Sequence, residues 1–237
     1  MIAGQDEDRG VSEVVGFILV FAVVIISVGL LYTTAFQSMH SYQEGEQVKS
    51  AAQGMEALAS NFNDVLRQGG TDQRSGELTL RDGTVRTDGS GGSLTVDIDS
   101  DGYDETVSLG KLTYQYGSST IAYEGGGVFQ GVEDEPDRSA VTSQPALACG
   151  DDRAVVSVLS LDGDERSIQA SGTQRFTLVE QSVESRTFTG VNGVSLAVSG
   201  SAHQGGWDAA LDRNGWNNGS CTASTVVVRI VRATVEF

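Results

Sequence analysis

The stretch Asp97-Ile98-Asp99-Ser100-Asp101-Gly102 sets carboxylates at alternate positions and ends on glycine. Oxygen ligands in that pattern, with a glycine for the sharp turn, open a calcium-binding loop. The complete loop needs a glutamate at its twelfth position, where Ser108 stands; a solvated acidic β-turn is the competing reading. Cys149 and Cys221 are the two cysteines. Two cysteines allow one pairing, a disulfide closing a loop of about 70 residues and contributing about 4 kcal/mol in chain-entropy terms; two buried thiols are the alternative. Asn218-Gly219-Ser220 is an N-glycosylation sequon in a loop-like stretch. Glu13 is a lone carboxylate at the edge of an uncharged apolar run. Such a charge is costly in a membrane unless partnered, although at a helix N-terminus Ser12 or Glu13 can act as a cap.

Other residue types point away from catalysis. His40 and His203 lie far apart, without metal-ligand spacing. There is no GxSxG, no CxxC and no glycine loop with the lysine that cradles a phosphate. The glycine-rich YEGGGVFQG lacks the strand-to-helix context of a nucleotide loop. Tyr103, Tyr114, Tyr116, Tyr123 and Phe129 recur at strand spacing and read as core or cross-strand packing. The reading is a non-enzyme without a small-molecule substrate, and with no cofactor beyond a calcium ion at Asp97, Asp99 and Asp101.

The elements that position these residues fall into two textures. Val14–Tyr32 holds 19 residues without a charge, roughly 28 Å of helix and about one hydrocarbon thickness. Beyond it Val48, Ala52, Met55, Ala59, Phe62 and Leu66 form an apolar seam of heptad character. One long helix is expected over residues 11–68, from Ser12 to about Arg67, ending at Gly69-Gly70. Its membrane part is about 14–32, and its seam must cover something. Residues 69–237 are rich in Gly, Ser, Thr, Asp and Val, with short alternating runs between turns. They read as roughly ten strands of an all-β antiparallel sandwich or meander. A hairpin is expected around Asp82-Gly83, separate strands at RFTLVEQ and SRTFTG, a polar loop at VEDEPDRSAVTSQPA and a short helix at WDAALDRNG. The fold class is α+β, with the β domain packed on the C-terminal half of the helix.

Charge narrows the partners. The 237 residues carry a formal net charge of −17, and Lys49 and Lys111 are the two lysines. Dispersed acidity suits a surface kept hydrated in high salt, or one that repels anionic partners. No basic stripe is present to neutralise phosphates, so nucleic acid is excluded as a partner.

The segment RGVSEVVGFILVFAVVI resembles the class III signal of archaeal type IV pilins, and its VSEVVG hexad resembles the haloarchaeal form. LTYQYGSSTIAYEGGGVFQ and SAHQGGWDAAL are similar, more loosely, to an uncharacterised pilin-like group from halophiles. The resemblance implies a leader over residues 1–10 and cleavage by a prepilin peptidase between Gly10 and Val11. It implies retention of the apolar helix, and an assembly role in which Glu13 of one subunit pairs with the Val11 amine of another. Leaders of this class are usually basic; here Asp6, Glu7 and Asp8 accompany a single Arg9. The expected partners are the peptidase, other pilin-like subunits and a membrane. The β domain is expected outside the cell, because no positive cluster follows Tyr32 to hold that end inside. A tethered extracellular binding module that never polymerises is the second reading. A signal discarded after Ala35 is the third fate open to the apolar run.

Overall fold

The computed structural model describes the backbone of residues 7–67, 72–80, 83–98, 100–169 and 171–237, and their side chains other than those of 7–13, 34–44 and 80. It divides into two compact units, residues 1–47 and Val48–Phe237.

In the first unit helix α1 begins, running Glu7–Phe62 across the boundary. It starts before the expected Ser12, so residues 7–10, expected to belong to a leader, are helical as well. Val14–Thr33 is apolar on every side. Its two hydroxyls bond within the helix, Ser27 Oγ to the Val23 carbonyl at 2.7 Å and Thr33 Oγ1 to that of Leu30 at 3.0 Å. Neither therefore depends on water.

In the second unit the last turns of α1 bury Ala51, Ala52, Met55, Leu58, Ala59 and Phe62. This is the expected seam, and it covers the β domain. The helix is not continuous to Arg67. It stops at Phe62, and a short turn, α2 (Asp64–Arg67), follows. Asn63 breaks it for a reason found far away in sequence. Its buried amide donates to the Gly126 carbonyl at 2.7 Å, and its carbonyl accepts the Tyr123 hydroxyl at 2.8 Å. Asn63→Ala would leave both partners buried and unpaired, a cost of about 3 kcal/mol. Urea unfolding should show that loss, and an unchanged midpoint would refute the role given to the amide. Gly54 and Gly76 let the helix approach the sheet, since a Cβ on Gly54 would lie 2.7 Å from Leu78 Cδ1 and one on Gly76 would strike Leu58.

Three sheets follow. The first orders β1 (Gln73–Leu80), β12 (Gly172–Thr189), β15 (Thr225–Glu236), β10 (Arg153–Asp162) and β9 (Ala146–Cys149). The second orders β11 (Arg166–Gln169), β2 (Thr84–Asp88), β5 (Lys111–Tyr116), β6 (Ser119–Glu124), β7 (Gly127–Val132) and β8 (Glu135–Ser143). The third orders β14 (Ser220–Cys221), β13 (Val194–Ser199), β3 (Ser93–Ile98) and β4 (Tyr103–Ser108). Helix α3 (Gln204–Arg213) lies where WDAALDRNG announced it. The α+β class holds, and among the described residues every strand pair is antiparallel except β10 with β15. Strands β11 to β14 and α3 fall between those two in sequence, a connection long enough for a parallel crossover.

The first sheet contributes to cores on both of its faces. Val226, Val228 and Ile230 of β15 face a core shared with the third sheet and α3, through Leu94, Val96, Trp207 and Leu211. Val231, Ala233 and Val235 face a second core with the helix seam, Tyr114, Tyr123 and Val128. Alternation along one strand feeds two cores.

Three local expectations are corrected. No hairpin joins β1 and β2, which pair in different sheets, β1 with β12 and β2 with β5 and β11. RFTLVEQ and SRTFTG are one 18-residue strand, interrupted by a bulge at which Gln181 has no register partner. The extra residue turns the even positions over. Phe176 and Leu178 enter the second core, and Phe188 packs against the first. The polar stretch around Pro136 is mostly strand β8, and it tolerates that proline because it is the edge of its sheet.

Candidate functional site

Val14–Thr33 is the largest chemical feature. Its 20 residues have a mean hydropathy of 3.1 and none is buried; Phe17 is 72% and Leu31 70% exposed. At about 1.5 Å per residue the segment matches a hydrocarbon thickness. An apolar surface of this extent requires lipid or protein against it. The helix is long and apolar enough to cross a membrane. Gly10, Val11, Ser12 and Glu13 lie on its backbone near the start, and their side chains lie outside the described residues.

The cysteines form the disulfide Cys149–Cys221, with Cα atoms 5.7 Å apart. It ties β9, an edge of the first sheet, to β14, a two-residue edge of the third. Asn218 is exposed in the adjoining turn with φ of 50°, beside a shallow depression lined by Gln204, Asp208 and Asp212. Of the candidate calcium ligands, Asp97 is half-buried on β3 and Asp101 is exposed in the turn that follows; Asp99 lies outside the described residues. Among the described residues no group of three His, Cys, Asp or Glu is arranged to hold a metal ion. Tyr103, Tyr114, Tyr123 and Phe129 are buried in the two cores and Tyr116 is partly so, in keeping with their reading as packing residues.

The fold brings together a polar cluster that the sequence pattern does not announce. Glu124 ends β6 just before the Gly125-Gly126 turn, whose φ values of 60° and 93° belong to glycine. The glutamate is fully buried. Its Oε1 accepts the Gly92 amide at 2.9 Å and its Oε2 accepts the Ser201 hydroxyl at 2.8 Å. Ser201 Oγ in turn accepts the His203 amide at 3.0 Å. His203 precedes α3, stacks on Phe129 and is 2% exposed. Its Nε2 shares a hydrogen bond of 3.2 Å with Thr120 Oγ1, and its Nδ1 lies 4.0 Å from Glu124 Oε2. Burial raises the Glu124 carboxyl above the ordinary range, against the hydrogen bonds from Ser201 and Gly92. Burial, with the charge of Lys111, lowers His203 to about 4. Burial disfavours the charged form of both groups, so neither gains much from the other as an ion pair at this separation.

His203 also lines a groove of about 170 Å³ beside the second sheet, with Val132 and Ala202 among its lining residues. Strand β2 contributes Arg86 and Asp88, β5 contributes Lys111 and Thr113, and the β7–β8 turn contributes Glu133 and Asp134. Lys111 pairs with Asp88 at 3.7 Å, and Arg86 with Glu165 at 3.4 Å. The only sequence signals for this region are a glutamate closing an otherwise apolar run, IAYE, and a histidine just ahead of a helix. Nothing in either indicates the other, 79 positions away.

Together these features define the class of protein: an N-terminal helix long and apolar enough to span a bilayer, followed by a disulfide-bonded, three-sheet β domain. The chain belongs to a family of unknown function, DUF7289, whose pattern matches residues 9–236. The match takes in both the apolar helix and the β domain. No curated protein and no solved structure matches the chain significantly.

Proposed function

We propose that the chain is a type IV pilin-like subunit. It is inserted in a membrane by Val14–Thr33, cut between Gly10 and Val11 by a prepilin peptidase, and then packed through the same helix into an extracellular filament that contacts surfaces. The observation that carries this reading is an apolar segment exposed all round, on a helix whose later turns are built into a β domain. A filament core excludes water as a bilayer does, so one helix serves both states. The domain lies outside the cell in this reading, which suits its disulfide. Asn218 then meets the glycosylation machinery as an exposed residue.

Once Val11 is the N-terminus, its ammonium is the partner for Glu13 of a neighbouring subunit, and that pair sets helix register in the filament. Glu13→Gln should leave membrane insertion unchanged and cut filament yield at least tenfold. Wild-type amounts of sheared filament from that variant would refute the pairing. N-terminal sequencing tests processing directly, with a start at Val11 expected.

The acidic leader favours a second reading, in which the chain stays a tethered extracellular binding module. An intact Met1, with all protein in the membrane fraction after shearing, would decide for it. A start after Ala35 would overturn both.

A further inference from the structure

We infer that Asn218 carries an N-linked glycan whose first sugar, a neutral pyranose, lies in the depression between the Asn218 turn, β13 and α3. This rests on the extracellular position proposed above for the β domain. Asn217 and Ser220 exchange backbone hydrogen bonds of 2.9 and 3.0 Å across Asn218-Gly219. The φ values of 50° and 80° at those two residues belong to the tight mirror-image turn that favours Asn-Gly. Asn218 therefore stands at the tip of a closed turn. The Leu196 amide donates to the Gly219 carbonyl at 2.7 Å, which fixes the tip against β13. Asn218 and Ser220, the two residues of the sequon that a transferase reads, are both exposed.

The depression has a volume of about 300 Å³ and Asn218 lines it, so a sugar bonded to the Asn218 amide nitrogen begins at its rim. That volume lies at the low end of the roughly 300–1,000 Å³ of ligand pockets and suits one ring. Leu196, Val198 and Leu211 give an apolar floor, and Gln204, Asp208 and Asp212 form the α3 side. A pyranose offers both halves of the match, a C–H face for the floor and hydroxyls that donate to the carboxylates. An acidic sugar would be repelled there. Gln204 already joins the walls, donating to the Val198 carbonyl at 3.2 Å and to Asp208 Oδ1 at 3.0 Å. The carboxylates alone would not hold a free sugar on so open a surface. The covalent bond supplies the position, at an effective concentration of about 1 mM or more, and weak contacts then suffice. A seated sugar touches β13 and α3 together, so any opening that parts them must release it.

The experiment uses the full chain in detergent, made in a host that N-glycosylates secreted proteins. An endoglycosidase trims the glycan to a single N-acetylglucosamine. The reference is Ser220→Ala, which removes the sequon and leaves Asn218 in its turn. Peptide mass spectrometry should find the sugar on Asn218, and amide exchange across Gln204–Arg213 should be at least threefold slower than in Ser220→Ala. Asp208 and Asp212 are exposed and outside both cores. With both changed to alanine the sugar should remain attached, while the slowing, measured against the same double variant carrying Ser220→Ala, should vanish. A bare Asn218, unchanged exchange in α3, or full slowing in the double variant would overturn the inference. Protease protection on sealed vesicles reports the side on which the domain lies. A bare Asn218 on a translocated domain defeats this inference alone, whereas a domain left on the cytoplasmic side defeats the extracellular reading with it.

Discussion

Serine at both Cys149 and Cys221 is expected to lower the stability of the β domain by about 4 kcal/mol. The bond joins residues 72 apart, and a cross-link over that span removes loop-closure entropy of this size from the unfolded chain. The native side adds to the effect. Strand β14 is two residues long and holds to β13 through two register pairs, Val194 with Cys221 and Ser195 with Ser220. Strand β9 is an edge with four register pairs to β10. Both are short edge strands, so amide exchange in β9 and β14 should quicken before exchange in β15, which is paired on both sides. For a domain of this size the loss is a fall of about 12 °C in melting temperature. A thermal scan of the full chain with and without reductant measures it, and equal midpoints would refute the stabilising role.

The second large effect is a dependence on acid. The folded protein lowers His203 from 6.5 to about 4, because its buried ring tolerates a proton poorly. The unfolded chain takes up that proton below pH 6.5 and the folded one does not. The stability due to neutral His203 is therefore complete above pH 6.5 and is lost as pH falls toward 4, about 3 kcal/mol in all. Glu124 acts with the opposite sign. Its folded value is raised above 4.5 by burial, so its contribution is complete below pH 4.5 and declines as pH rises through the folded value. Urea midpoints between pH 4 and 8 separate the two. His203→Gln should flatten the acid limb. Glu124→Gln, whose amide oxygen still accepts from Gly92, should gain stability at pH 8. An acid limb as steep in His203→Gln as in the parent would assign the effect to other groups.

The expectations that held rest on local patterns. Nineteen uncharged residues are apolar whatever surrounds them, and the 4-3-4 spacing from Val48 to Phe62 places those side chains on one helical face by geometry alone. The alternating runs of β3, β5 and β15 were legible because side chains on successive positions face opposite ways. The break in pattern at Gln181 read as two strands, because a bulge reverses the alternation just as a turn does. Asp82-Gly83 carried the chemistry of a tight turn, yet the strands on either side went to different sheets. Turn propensity is local, whereas strand pairing is settled by which faces can be buried together.

The candidate site depended on such pairings. Gly92, Thr113, Glu124 and His203 come from separate strands and loops, and nothing in their spacing relates them. Their meeting required β5 beside β6, and the β13–α3 connection with Ser201 and His203 laid against the end of β6. The departure of Glu124 and His203 from ordinary titration also comes from enclosure, which no residue carries in its own identity. The sequence by itself determined the apolar helix, its seam, the α+β class and the one possible disulfide partner set, because each follows from composition or short-range period. The tertiary structure alone decided the parallel pairing of β10 with β15, the break at Asn63, the buried Glu124–His203 contact and the groove beside it. Each of these is a contact between distant residues, and the choice among such contacts is made by the packing of the whole chain.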